Sequence, residues 1–191
     1  MSATNSAVVD LFKAQYEKLA GKVHVAANVD EAIQAVHQIL TNSNVTRVVA
    51  APLADELSGK LHKMVETVGL ATVSMDLTSP SVQYQINEAD VGISMAEFGI
   101  ASMGAIVEVS SEDSYRLVSS LPLIHIAFVP AAEIIETLDE AGPRLRDIYR
   151  RYQSNCHITF ISGPSRTADI EMKLFLGVHG PQASHVVVCN W

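Results

Sequence analysis

Arg47-Val48-Val49-Ala50-Ala51-Pro52 reads as a short apolar strand stopped by proline, and the helical run after it decides the fold. Leu53, Leu57, Leu61, Met64, Val65 and Val68 recur at helical spacing until Gly69 ends the run. Upstream the same alternation appears. Val8, Leu11, Phe12, Gln15 and Leu19 set an amphipathic helical rhythm, and Val23–Ala26 is a short strand. Asn28 is placed to cap the next helix, with Asp30 and Glu31 in its first turn and Ala32, Ile33, Val36, Ile39 and Leu40 on one face. Downstream, strands are expected near Thr72–Met75, Ala105–Val109, Ile124–Val129, Ile158–Ile161 and His185–Cys189. Helices are expected near Ser114–Leu121, Ala131–Tyr152 (broken or kinked at Gly142-Pro143) and Thr167–Leu176, with a loop over Asp76–Glu88. Such alternation predicts an α/β domain of three layers, a mostly parallel sheet covered by helices. The expected organisation is one domain over residues 1–191, with residues 1–22 as an N-terminal helical arm.

Composition narrows the function. The chain has 191 residues, 48% hydrophobic and 18% charged, which suits a folded domain able to bury its own core. Its net charge is -8, and the dense basic cluster Arg144, Arg146, Arg150 and Arg151 has the spacing of a solvated helix face. A nucleic-acid surface is therefore not expected. Cys156 and Cys189 are the two cysteines, too few for an iron–sulfur cluster or a structural zinc. Met1–Asp10 lacks the pattern of an export signal, and no apolar run is long enough to span a membrane. A cytoplasmic protein is the expectation. Exposed apolar helix faces would permit a homodimer.

Ligands of open α/β sheets collect at the carboxyl ends of the strands, and three segments meet that description. The first runs from Asp90-Val91-Gly92-Ile93-Ser94 through Glu97-Phe98-Gly99 to Gly104-Ala105. Its glycines suit either close approach to a ligand or tight packing between strands. The second is Ile161-Ser162-Gly163-Pro164-Ser165-Arg166-Thr167-Ala168-Asp169-Ile170-Glu171. A strand running through Gly-Pro into a helix near Thr167 would place free amides, two hydroxyls and a guanidinium around a carboxylate or phosphate. Alternatively Ser165 or Thr167 is simply an N-cap, with Asp169 and Glu171 complementing the dipole. The third, Gly177-Val178-His179-Gly180-Pro181, puts an imidazole in a turn, where it could carry a proton or pair with a carboxylate. His179 and His185 with Asp169 and Glu171 fit no standard metal spacing, so no metal is expected. His24, His37, His62, His125 and His157 lie in strands or on helix faces and read as structural.

Together these segments resemble the lactate-utilisation (LUD) domain family, on its protein C-like branch. The match rests on Ser162–Glu171 followed by Gly177–Pro181, and on Arg116-Leu117-Val118-Ser119-Ser120-Leu121-Pro122 with Ile124-His125-Ile126; it covers roughly Arg47 to Val188. The resemblance implies a fold like that of sugar-phosphate isomerases and CoA-transferases. It implies a role in oxidising L-lactate to pyruvate beside partner proteins that carry iron–sulfur clusters, this chain binding no cofactor of its own. One departure stands out. Where the family usually has Ile-Ala-Glu-Thr-Gly-Thr, this chain has Ile100-Ala101-Ser102-Met103-Gly104-Ala105, without the acid and both threonines. Any role of that acid would pass to Glu97 or Glu108.

The expected ligand is a small carboxylate or phosphate, held by Gly104, Ser162, Gly163, Ser165, Arg166, Thr167, Asp169 and His179. His179 and Glu97 are the candidates for proton transfer. Two alternatives stay open: a stand-alone enzyme acting on CoA thioesters, sugar phosphates or folates, and a scaffold or regulator without catalysis.

Overall fold

The computed structural model describes residues 3–153, 155–168 and 174–191. Helix α1 (Ala3–Lys18) leads into β1 (Lys22–Ala26), α2 (Val29–Thr41), β2 (Arg47–Ala50), α3 (Asp55–Val68), β3 (Ala71–Thr72), α4 (Val82–Asn87) and β4 (Val91–Met95). Next come β5 (Phe98–Ile100), β6 (Ala105–Ser110), α5 (Asp113–Val118), β7 (Ile124–Pro130) and β8 (Ile134–Ile135). The described chain closes with α6 (Ala141–Arg151), β9 (His157–Ile161), β10 (Arg166–Ala168), β11 (Leu174–Leu176) and β12 (Ala183–Cys189).

Six strands in the order β1-β12-β7-β4-β2-β3 form a wholly parallel sheet, as the alternating pattern predicts. Asn28 caps α2 by accepting from the Glu31 amide at 2.9 Å, and Gly69 ends α3 in the left-handed region at φ +78°. The apolar faces of α2 and α3 (Ala32, Val36, Leu57, Leu61) cover one side of the sheet against Val91, Ile93, Ile126 and Phe128. On the other side lie α1, α4, α5 and a second sheet, ordered β8-β5-β6-β9. Val9, Phe12 and Tyr16 of α1 pack with Ile106, Ile134, Val186 and Val188. Helix α6 closes the far face of the second sheet through Ala141 and Ile148 against Phe98, Ile100 and Val107.

Several expectations change. Residues 131–152 are not one kinked helix: a 3-10 turn, β8 and a second 3-10 turn precede α6. Ile134 and Ile135 leave the helical path because β5 takes them as parallel partners. Pro143 sits in the first turn of α6, where its missing N–H breaks no intrahelical bond. The helix expected at Thr167–Leu176 is replaced, where described, by an antiparallel pair that sets Arg166 against Leu176 and Thr167 against Phe175. β-branched and aromatic residues favour that extended pairing. Residues 169–173 of that span lie outside the described residues. The expected loop at 76–88 contains α4, whose Val82 and Ile86 are buried, and of the run Thr72–Met75 only Thr72 falls within β3, with the Val73 amide donating to the Val48 carbonyl (2.8 Å) just beyond it. Asp90–Ser94 is largely the central strand β4 rather than a ligand loop.

Candidate functional site

β2 and β4 are neighbours in the parallel sheet, yet the chain leaves them in opposite directions. After β2 it crosses to α3 on one face, and after β4 it enters the second sheet on the other. A crevice must open where such connections diverge, at the carboxyl ends of the two strands. Here it is a cavity of about 210 Å³ bounded by Pro52 after β2, Ser94 near the end of β4, Glu108 of β6, Tyr115 and Arg116 of α5, and Thr159 of β9.

The floor is set by strand alternation. In β4, Val91 and Ile93 face α2 and α3, so Gly92 and Ser94 face the opposite side, Gly92 against the end of α5 and Ser94 toward β6. In β6, Val107 packs toward α6, so Ile106 and Glu108 point back at the parallel sheet. His125 of β7 falls on the same face as Gly92, its register partner. Three polar side chains therefore converge in an apolar interior. Ser94 Oγ donates to Glu108 Oε1 at 2.5 Å, and His125 Nε2 lies 2.8 Å from Ser94 Oγ and 3.2 Å from Glu108 Oε1. All three residues are buried, His125 to 1% exposure. Burial works to raise the Glu108 carboxyl pKa, but His125, by charge and hydrogen bond, and the hydroxyls of Ser94 and Ser119 outweigh it and hold it below the ordinary range. This is not a hydrolase relay. One imidazole nitrogen meets both the serine and the carboxylate, while Nδ1 has no partner among the described residues. The arrangement instead presents a buried, ionised acceptor at the base of the crevice.

The two motif turns meet beside it. Ser165 ties them together: its amide donates to the Pro181 carbonyl (2.9 Å), its carbonyl accepts from Gly177 (3.0 Å), and its Oγ accepts from the His179 amide (3.3 Å). Ser162, Gly163, Ser165 and His179 line a hollow of about 440 Å³, and Arg116 and Thr159 border both this hollow and the crevice. Gly163, at φ +109°, packs so close to α1 that a Cβ would lie 2.6 Å from the Leu19 carbonyl oxygen.

Other predicted residues fall elsewhere. Arg166 is exposed on β10 and is not among the residues lining the hollow; Thr167 comes next on the strand, half-buried. With no helix starting at Thr167, the expected helix-terminus amides are not available there. Asp169 lies outside the described residues. Gly104 occupies the β5–β6 turn at φ +56°, pressed against Gln15 and Tyr16 of α1, and Ser102 and Met103 are exposed in that turn. Glu97 pairs with Arg151 at 2.6 Å and lines an adjoining hollow of about 570 Å³. Of the two acids that could succeed the missing glutamate, Glu108 is the one on the crevice floor. The joint functional weight of Ser94, Glu108 and His125 is not apparent from the sequence. Its signal there is a polar residue at an inward position of three otherwise apolar strands. Among the described residues, no three His, Cys, Asp or Glu side chains gather to hold a metal ion, and no helix is long and apolar enough to cross a membrane.

Fold and site define a class: a layered α/β domain with a parallel sheet and a polar crevice at its strand ends. The profile of the LUD domain matches residues 9–189, and the chain belongs to that family. It is 37% identical over 124 residues to lactate utilization protein C of Shouchella clausii, covering 59% of this chain and 54% of the relative. To the Bacillus subtilis protein of the same name it is 42% identical over 110 residues, covering 54% and 44%. The chain thus spans about half the length of the curated relatives it matches. A crystal structure of a DUF162 family protein from Deinococcus radiodurans superposes with a TM-score of 0.70 at 20% identity, covering 97% of this chain and 98% of that one. That likeness concerns the fold alone.

Proposed function

We propose that this protein is a non-redox component of a lactate-utilisation system and binds a small carboxylate in the crevice at the ends of β2 and β4. The names of its relatives support the process. The composition supports the division of labour, since Cys189 is buried with its thiol pushed up to about 12, and Cys156 alone cannot ligate a cluster. Electron transfer then belongs to iron–sulfur partner proteins. One observation carries the ligand assignment: Arg116 borders both the crevice above Glu108 and the hollow formed by the Ser165 and His179 turns. Its guanidinium is held loosely by Asp113 at 3.4 Å, so a ligand carboxylate can compete for it.

Calorimetric titration of L-lactate, pyruvate and inorganic phosphate into the purified protein tests this. Saturable binding of a carboxylate is expected, with Arg116→Ala weakening it about tenfold or more, the scale of a lost charged hydrogen bond. Arg166→Ala, on the exposed hairpin, is expected to have the smaller effect. No saturable binding of any of the three would remove the assignment.

A further inference from the structure

We propose that Glu108 reads the hydroxyl of the bound acid, so that the crevice selects 2-hydroxy carboxylates over the corresponding 2-oxo acids. The inference rests on the carboxylate-binding reading above and refines it to a ligand class. Its basis is the balance of donors and acceptors on the crevice floor. Ser94 spends its hydroxyl proton on Glu108 and lies within hydrogen-bond distance of His125 Nε2. The Nε2 proton is in turn committed to Ser94 and Glu108. Ser110, on the wall, donates to the Glu112 carbonyl. None of these groups offers a free proton at the cavity, since the unpartnered Nδ1 belongs to His125, which is buried and does not line it. Glu108 borders the cavity, and a carboxylate has about four lone-pair sites; Ser94 and His125 fill two at Oε1 and the Ser119 hydroxyl takes another, which leaves one for a ligand. The floor is therefore an acceptor that wants a donor.

A 2-hydroxy acid supplies one. With its carboxylate on Arg116, its hydroxyl can donate to Glu108. A 2-oxo acid sets a carbonyl oxygen against the buried carboxylate, acceptor facing acceptor, and cannot relieve the contact there. Ser111, Tyr115 and Thr159, also on the wall, carry hydroxyls that can take either polarity, so discrimination falls to Glu108. The depressed proton affinity of Glu108 is consistent with this, because the group stays an acceptor across the neutral range. A cavity of about 210 Å³ is large enough for a three-carbon acid.

The experiment compares L-lactate, pyruvate and propionate by calorimetry on the wild-type protein and on Glu108→Gln. L-lactate should bind at least about tenfold more tightly than either pyruvate or propionate. Glu108→Gln, nearly isosteric but able to donate from its amide, should bring lactate and pyruvate to within about threefold. Equal affinity of the wild type for lactate and pyruvate overturns the inference while leaving the carboxylate site intact. Retention of the full lactate preference in Glu108→Gln overturns it as well. If no carboxylate binds the wild type, the underlying site assignment fails and this inference falls with it. The wild-type comparison stands even if the variant does not fold.

Discussion

His185 of β12 and His24 of β1 stack across neighbouring strands, with Nδ1 and Nε2 3.2 Å apart. Burial first, then the positive charges of His24, Lys22 and His125, push the His185 pKa down to about 4, and His24 is lowered too. The unfolded chain, with a histidine pKa near 6.5, binds the proton that the native state refuses. Stability is therefore complete above about pH 6.5 and is lost as pH falls toward 4, by about 3 kcal/mol for His185. Urea unfolding at pH 7.5 and pH 4.5 should show a smaller loss for His185→Gln than for the parent; equal losses would remove this role. At the same scale, sequence and structure part company over His125. A histidine in an apolar strand reads as packing, and only the pairing of three strands reveals Ser94 and Glu108 beside it. The turns that carry Ser165 and His179 were legible because their glycines mark them, and short-range geometry governs there. Arg166 was not: its place depends on the strand pairing that moves it away from the hollow.

Among the elements, β4 and the end of α5 pack tightly at Gly92. A Cβ on Gly92 would lie 1.8 Å from the Val118 carbonyl oxygen, so the helix end rests directly on the strand. That contact also fixes the helix bearing Arg116 beside the crevice. Gly92→Ala should lower stability by about 3 kcal/mol, the upper range for overpacking, and a matching loss of carboxylate affinity would accompany the displaced helix. Chemical denaturation checks the first effect, and an unchanged midpoint would show that the contact yields cheaply. Of the parallel strands, β1, β2, β7 and β12 were legible because each is an apolar run bounded by turn residues, whereas β4, which carries Gly92 and Ser94, read as a ligand segment. The second sheet was not legible, since β5 and β8 have only three and two residues and owe their form to partners distant in sequence. Pairing of that kind overrides local propensity.

For the whole molecule, α1 is part of the core rather than an appendage. Phe12 and Tyr16 are fully buried, and the Tyr16 hydroxyl meets Ser184 at 2.6 Å, 168 positions away. Phe12→Ala should cost about 3–5 kcal/mol, as for other large-to-small core changes, measured by denaturant midpoint. A loss below about 1 kcal/mol, on the other hand, would mean that α1 contributes little to the fold. The layered architecture as a whole was readable from alternation, because helix and strand periods differ too much to be confused over so many units.

The position of β12 has a kinetic consequence. It lies between β1 and β7, so the first strand stays without a sheet partner until a segment some 161 positions later arrives to separate and join them. During synthesis β1 must therefore stay without its strand partner until the chain has been made as far as β12. Folding of this domain is set by its slowest long-range closure, and the interval before that closure is when chaperone capture or misassembly competes with it.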